Sequence, residues 1–329
     1  MFPEQRATRF GFPPDLRVIN LILKPNYSSR EVEIENEGPT RGGYLQQELE
    51  LGLLKIADGG RINFNFTAND VSLLTEDERD IIQTPGSVSE LASDPNTAEF
   101  RSLVPDSRSF DTNLSWAKAF LSSGISVSAN ANYERRDSRS LDGLNIITLT
   151  DASGDSLTRT FGEADPLERR TATDNANASG SLSAPLGAFR VTSTFDAGLS
   201  ETTTEIDNRF DTDALEAAAL AGTLALDGDL PTSADAGFET AFLRSTSATH
   251  LNTFRGPLVD LPGGELLATF DLGYNWNRIE SADTRTLDDV QLTRGNITTG
   301  ANFVIPITSR RTGFADKLGS FTLNAQVGL

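Results

Sequence analysis

Stretch after stretch of this chain alternates apolar and polar residues, and the gaps between the stretches alternate too, short then long. From Arg61 onward, Ile62, Phe64, Phe66 and Ala68 stand against Asn63, Asn65, Thr67 and Asn69. Successive side chains of a strand point to opposite sides, so one face of such a run is greasy and the other wet. Ile125, Val127, Ala129, Ala131 and Tyr133 repeat the pattern against Ser126, Ser128, Asn130 and Asn132. Phe189, Val191, Phe195, Ala197 and Leu199 oppose Arg190, Thr192, Thr194, Asp196 and Ser200. Leu266, Ala268, Phe270, Leu272, Tyr274 and Trp276 oppose Thr269, Asp271, Asn275 and Asn277. Phe321, Leu323, Ala325, Val327 and Leu329 oppose Ser320, Thr322, Asn324 and Gln326. Each run is about ten residues, the length a tilted strand needs to cross a bilayer.

A water-soluble antiparallel sheet alternates in the same way, with its apolar face turned to a core. The wet face here is filled with Asn, Ser, Thr, Gly and Asp over long strands, as a lumen lining would be. Turn-forming clusters place strands at about residues 30–37, 44–56, 61–71, 109–120, 124–136, 173–184, 187–200, 246–256, 265–280, 288–305 and 318–329, eleven in all. Tight connectors fall at Ala57–Gly60, Leu121–Gly124, Pro185–Gly187 and Val259–Gly264, and long ones at 72–108, 137–172 and 201–245. Outer-membrane barrels keep short turns on the periplasmic side and long loops outside. The expected fold class is therefore all-β: an antiparallel up-and-down meander forming a partial, open outer-membrane β-barrel with long extracellular loops. Within 201–245, DALEAAALAGTLAL from Asp213 has high helix propensity and reads as a helical turn folded over the barrel mouth. Thr308–Lys317 is long and basic for a periplasmic turn.

Composition removes other classes. No run approaches the ~20 apolar residues of a helical span. The absence of cysteine excludes disulfides, thiolate metal sites and cysteine nucleophiles. A single histidine, His250, leaves a His triad or His metal cluster without enough parts and reads as a polar strand or loop residue. No catalytic, cofactor-binding or metal-ligating residue is assigned, and the chain is not expected to be an enzyme. A formal charge of −19 makes nucleic acid a poor partner, since phosphate binding needs a basic patch. The acidic residues gather in connectors, as in DASGDS from Asp151, TTTEIDNRFDTD from Thr202 and DGDLPTSAD from Asp227. None has calcium-loop spacing, and they read as solvated. The opening MFPEQRATRF carries no secretory signal, which an outer-membrane reading reconciles by taking the chain as a piece of a longer protein.

From Arg6 to Lys24, RATRFGFPPDLRVINLILK resembles the end of the plug domain of TonB-dependent outer-membrane receptors, where an aromatic-Gly step leads into a strand reading roughly Val-Ile-Asn-Ile-Ile-Thr-Lys just before the first barrel strand. Phe10 and Gly11 supply the step, and Val18, Ile19, Asn20, Leu21, Ile22, Leu23 and Lys24 the strand. Pro13, Pro14, Asp15, Leu16 and Arg17 stand where glycines usually precede it, the mark of a divergent branch. The resemblance implies that residues 1–25 are the last strand of a plug-like domain and that 26–329 are the first half of a transmembrane barrel of about 22 strands with a plugged lumen. It implies a receptor for active uptake of a scarce nutrient, such as an iron chelate, cobalamin or a glycan, in a Gram-negative outer membrane. The partners so implied are outer-membrane lipid, the TonB energy-transducing complex and a small-molecule ligand. The TonB-contacting box and most of the plug fall outside the chain, which ends on Val327, Gly328 and Leu329 rather than an aromatic residue, and both facts fit an internal piece. Ligand-binding residues stay unknown, because no motif marks them. The competing readings are a passive porin, which the plug-like strand disfavours, and a secreted adhesive or structural all-β protein, which membrane partition would separate.

Overall fold

The computed structural model describes residues 26–84, 86–286 and 288–329; the plug-like strand expected at Val18–Lys24 lies outside them. The chain forms β1 (Tyr27–Glu37), β2 (Gln46–Ala57), β3 (Gly60–Val71), β4 (Leu74–Thr75), β5 (Ser102–Val104), β6 (Asp106–Phe120), β7 (Ile125–Gly143), β8 (Asn145–Thr150), β9 (Ser156–Phe161), β10 (Leu167–Leu186), β11 (Phe189–Asp207), the helix α1 (Asp213–Leu220), β12 (Phe238–Leu261), β13 (Gly264–Asp283), β14 (Val290–Thr308) and β15 (Phe321–Gly328). Eleven of the strands make one sheet in the order β1-β2-β3-β6-β7-β10-β11-β12-β13-β14-β15, an up-and-down meander, and the remaining four form two small two-stranded sheets, β4-β5 and β8-β9. Among the described residues β1 and β15 do not pair, so the sheet is an open, partial barrel.

The two ends of the sheet differ. At one end the connections are Asp58 and Gly59, residues 121–124, residues 187–188, residues 262–263 and residues 309–320. Asp58 and Gly59 have φ of 52° and 71°, the left-handed pair that matches the twist of the flanking strands. The long connector 309–320 is folded on itself: Ser309 bridges Phe314, and the Thr308 hydroxyl donates to the Gly319 carbonyl at 2.8 Å. At the other end lie residues 38–45, 72–105, 144–166, 208–237 and 284–289.

Register fixes the faces. Leu53, Phe64, Leu114, Ala131, Ala178, Ala197, Ala248 and Trp276 stand opposite one another in a single row and share one side. Val127, Phe195, Phe270 and Leu323 lie on that side as well, as the alternation predicts. The next row of the other face is Asn65, Asn113, Asn132, Asn177, Gly198, Ser247 and Asn277. Its neighbours are knit by side-chain hydrogen bonds, for instance Ser128 to Ser181 at 2.7 Å and Ser200 to Asn175 at 2.7 Å. Among the described residues no second layer covers the apolar face: Phe195 is 48% exposed, Leu323 54% and Ile297 68%.

The apolar band crosses the sheet obliquely. The row Leu49, Ala68, Phe110, Arg135, Asp174, Glu201, Arg244 and Glu280 starts in apolar residues and ends in charged ones without changing face. Hydrogen-bonded rows run perpendicular to strands, so a band that cuts across them means tilted strands, as a barrel wall requires. Above the band the charges are paired, with Arg135 to Asp174 at 3.2 Å and Arg244 to Glu201 at 2.6 Å.

The strands also run further than the alternation predicts. β7 continues to Gly143, β10 starts at Leu167, β11 continues to Asp207 and β12 starts at Phe238, so the connectors shrink to 144–166 and 208–237. Beyond the band both faces are polar, and the period of two that marks a strand disappears although the ladder continues.

Candidate functional site: a folded cap at the long-connector end

The three longest connectors, read from sequence as loops, fold together into a cap. In the middle one, β8 and β9 form a hairpin whose turn is held by Asp151, its carboxylate accepting from the Ser153 and Asp155 amides at 2.8 and 3.0 Å. The acidic segment from Asp151 is thus a turn with a structural acceptor. Ile147, Leu149 and Phe161 point inward from the hairpin and are at most 3% exposed, packed on Ala219 of α1 and on Ala234. Phe210, Leu215, Leu224, Leu226 and Leu230 close around them, and Phe210 meets Phe161 edge-on at 5.8 Å. Burying a side chain such as Leu or Phe contributes about 1.5–3 kcal/mol, enough to give this small body its own core. The expected helical turn is α1, which ends before Gly222 at φ +72° and packs on this core through Ala219 and Leu215.

One guanidinium joins all three connectors. Arg159 on β9 holds Asp94 from the first connector through two bonds of 2.6 and 2.7 Å, and its Nη1 donates to the carbonyls of Leu226 and Gly228 in the third at 2.7 and 3.0 Å. Both side chains are about 5% exposed. Asp94 also accepts from the Ser89 hydroxyl at 2.5 Å and the Thr160 amide at 3.3 Å, and the Thr160 hydroxyl donates to Pro95 O at 2.8 Å. Burial pushes the Asp94 carboxyl up, but the bonds from Arg159, Ser89 and Thr160 outweigh it and hold the group below its usual range. A buried pair is tolerated only when its remaining donors and acceptors are met, as they are here.

A second arginine stiffens the first connector: Arg101 donates to the Gln83 side chain at 3.0 Å and to Ser87 O at 2.9 Å, beside the turn Thr97–Phe100 that Asn96 caps. Sequence reasoning missed this body. The available signal was the alternation of Ile147 and Leu149, then Leu157 and Phe161, around the Asp151–Asp155 turn. Asp94 has no comparable local mark. His250 lies in β12 on the apolar face, opposite Phe195 and Tyr274, with its Nε2 2.7 Å from the Asn252 amide nitrogen.

Just below the cap, at the sheet rim, a recess of about 400 Å3 opens on the same side as the apolar band, lined by Arg108, Arg139, Arg170, Asp106, Asp137 and Glu205 among others. The polar face, the cap and this rim are therefore three separate surfaces at the long-connector end.

No protein-family model matches the chain. No curated protein matches it either. Among solved structures, BauA, the ferric preacinetobactin receptor from Acinetobacter baumannii, aligns with 87% of this chain and 41% of its own, at 10% identity and a TM-score of 0.39. The open form of Fiu, the ferric-catecholate import receptor from E. coli K12, aligns with 87% and 48%, at 9% identity and a TM-score of 0.37. The chain spans less than half the length of either. At these scores the likeness adds nothing to the fold argued above.

Proposed function

We propose that this chain is part of a TonB-dependent outer-membrane receptor: residues 1–25 the end of a plug-like domain, and residues 26–329 about half of a transmembrane barrel serving active uptake of a scarce small nutrient, without enzymatic chemistry. The observation that carries the reading is the apolar band, left uncovered among the described residues and backed by a face of Asn, Ser and Thr. A soluble sheet would bury Phe195, Phe270 and Leu323 under a second layer; lipid is the solvent that fits them exposed. On this reading the polar face lines the lumen, and the gathering of long connectors at one end supports an outward-facing cap, where a solute first meets the protein. The plug-like sequence before β1 supports an energised receptor over a passive porin.

Because the chain has no cysteine, single cysteines can be introduced cleanly. After refolding into lipid vesicles, a fluorophore at Val127→Cys should be quenched by a lipid-phase quencher and one at Asn130→Cys by an aqueous one. Equal aqueous quenching at both, or a chain that stays in the water phase of a detergent partition, would favour the secreted all-β protein. The isolated chain should form an open half-barrel or aggregate, because unpaired strand edges cost several kcal/mol per group in lipid. A closed, heat-resistant monomer with solute flux in liposomes would favour a small porin.

A further inference from the structure

On β7, β10 and β11 both faces are polar beyond the band, but at the long-connector end of β12, β13 and β14 the alternation inverts. Leu243, Ser281 and Val290 share one row of the polar face, and Ser245, Ile279 and Leu292 share the next. Ile279 and Leu292 are directly opposite, with Val290 two residues along β14 and Leu243 on the diagonal, so four aliphatic side chains surround Ser281. The row between, Arg244, Glu280 and Gln291, points to the other face, where Arg244 pairs with Glu201 and Arg278 with Glu280. Charges here stand on the side that carries the apolar band elsewhere, and aliphatic residues on the side of Asn and Ser. The four are between 36% and 61% exposed. Lipid does not explain them, because they lie on the face opposite the band, and they are no part of the core of the cap. Next along β14 on the same face stands Arg294, opposite Asn277. Among the described residues its guanidinium has no hydrogen-bond or ion-pair partner.

We propose that this patch holds the alkyl chain of a medium-chain fatty acid, or of a solute built on one, whose carboxylate is met by Arg294. Apolar groups gathered on an otherwise polar face mark a binding surface, because covering them removes apolar area from water. Two strand spacings by two residues of rise give the patch about 10 Å by 7 Å, room for such a chain lying flat. Its side chains are aliphatic and offer no ring for stacking, which favours a flexible chain over an aromatic ligand. The free guanidinium one step beyond them complements an anionic head, and its planar fork matches a carboxylate through paired bonds. The binding rests on the patch and Arg294 alone. That the bound molecule is a solute for uptake rests on the membrane reading above, which turns this face to the lumen.

The full chain, transferred from detergent to amphipol, should bind radiolabelled octanoate saturably in equilibrium dialysis, with the background taken from empty amphipol. Octanoate should bind about tenfold more tightly than butyrate, a difference of about 1.4 kcal/mol. Leu243→Asn with Leu292→Asn should remove most of that difference, whereas Leu251→Asn, an apolar residue of the same face further along β12, should keep it. Arg294→Gln should weaken octanoate about fivefold and leave octanol unchanged. Circular dichroism verifies that the double variant keeps its sheet, and Ile279→Ser alone should still lower the octanoate preference if it does not. No saturable binding, equal affinity for octanoate and butyrate, or an equal loss in Leu251→Asn would overturn the proposal and leave the patch to a protein segment. A chain that partitions into detergent yet binds no octanoate overturns this proposal alone. One that stays in the water phase overturns the membrane reading and, with it, uptake of the bound solute.

Discussion

The sheet and the cap solve the same problem in opposite directions. In the sheet, Phe195, Leu323 and Ile297 turn outward and stay exposed, while Asn113, Asn132 and Asn177 line the other face. In the cap, Leu149 and Phe161 are turned inward to 0% and 2% exposure. The sheet leaves its apolar side chains exposed and the cap buries its own, and the change happens within single strands. β7 leaves the band at Tyr133, continues through Arg135, Asp137 and Arg139, and ends at Gly143 beside the cap.

The comparison breaks first at the cap's ion pair. Arg159→Ala leaves Asp94 buried without its partner, and such a loss costs about 3–5 kcal/mol. Hydrogen exchange should accelerate through β8 and β9 while amides of β10 and β11 keep their protection; uniform acceleration would mean that the two bodies are one cooperative unit. Next comes the lipid face. Val127→Arg or Phe270→Arg should cost about 2–4 kcal/mol in vesicles if near the midplane, and Asn130→Arg much less. Equal costs, measured by folding into lipid, would erase the difference between the faces.

A pH titration separates the bodies more gently. The Asp94 carboxyl is held below its free value of 3.8, so the stability it brings is complete above that pH and is lost as pH falls through the lowered value. Cap amides should lose exchange protection below pH 3.8, with little change in the apolar band; a cap as protected at pH 2.5 as at pH 7 would deny Asp94 that role. The smallest effect is expected at the Asp58–Gly59 turn, where Gly59→Ala places a methyl at φ +71° and 3.1 Å from Ala119 O, costing about 1 kcal/mol in thermal stability.

The same comparison explains what could be read in advance. Every strand of the large sheet was legible where one face is apolar and the other polar, because only there do Ile62, Phe64 and Phe66 alternate with Asn63 and Asn65. The outer extensions were not, since Arg135, Arg136 and Asp137 of β7 have water on both sides. The cap was hidden for a different reason. Its contacts pair residues such as Asp94 with Arg159 and Arg159 with Leu226, far apart in sequence and marked by no local period. The helix at Asp213 was visible through its alanines, but the core that receives it was not.

The clamp at Arg159 also sets an order of events. Its bonds to Asp94 and Leu226 span 65 and 67 residues, whereas β2–β3 and β10–β11 are joined across two-residue turns. Closing long loops before anything holds their ends is entropically slow, while hairpins form in about 1–10 μs. The hairpins therefore zip first, and only a rim already assembled from β3 to β12 brings the three connectors close enough for the guanidinium to find its acceptors. Burial of Arg159 is in that sense a late clock in folding: a kinetic probe placed there would time the completion of the wall beneath it.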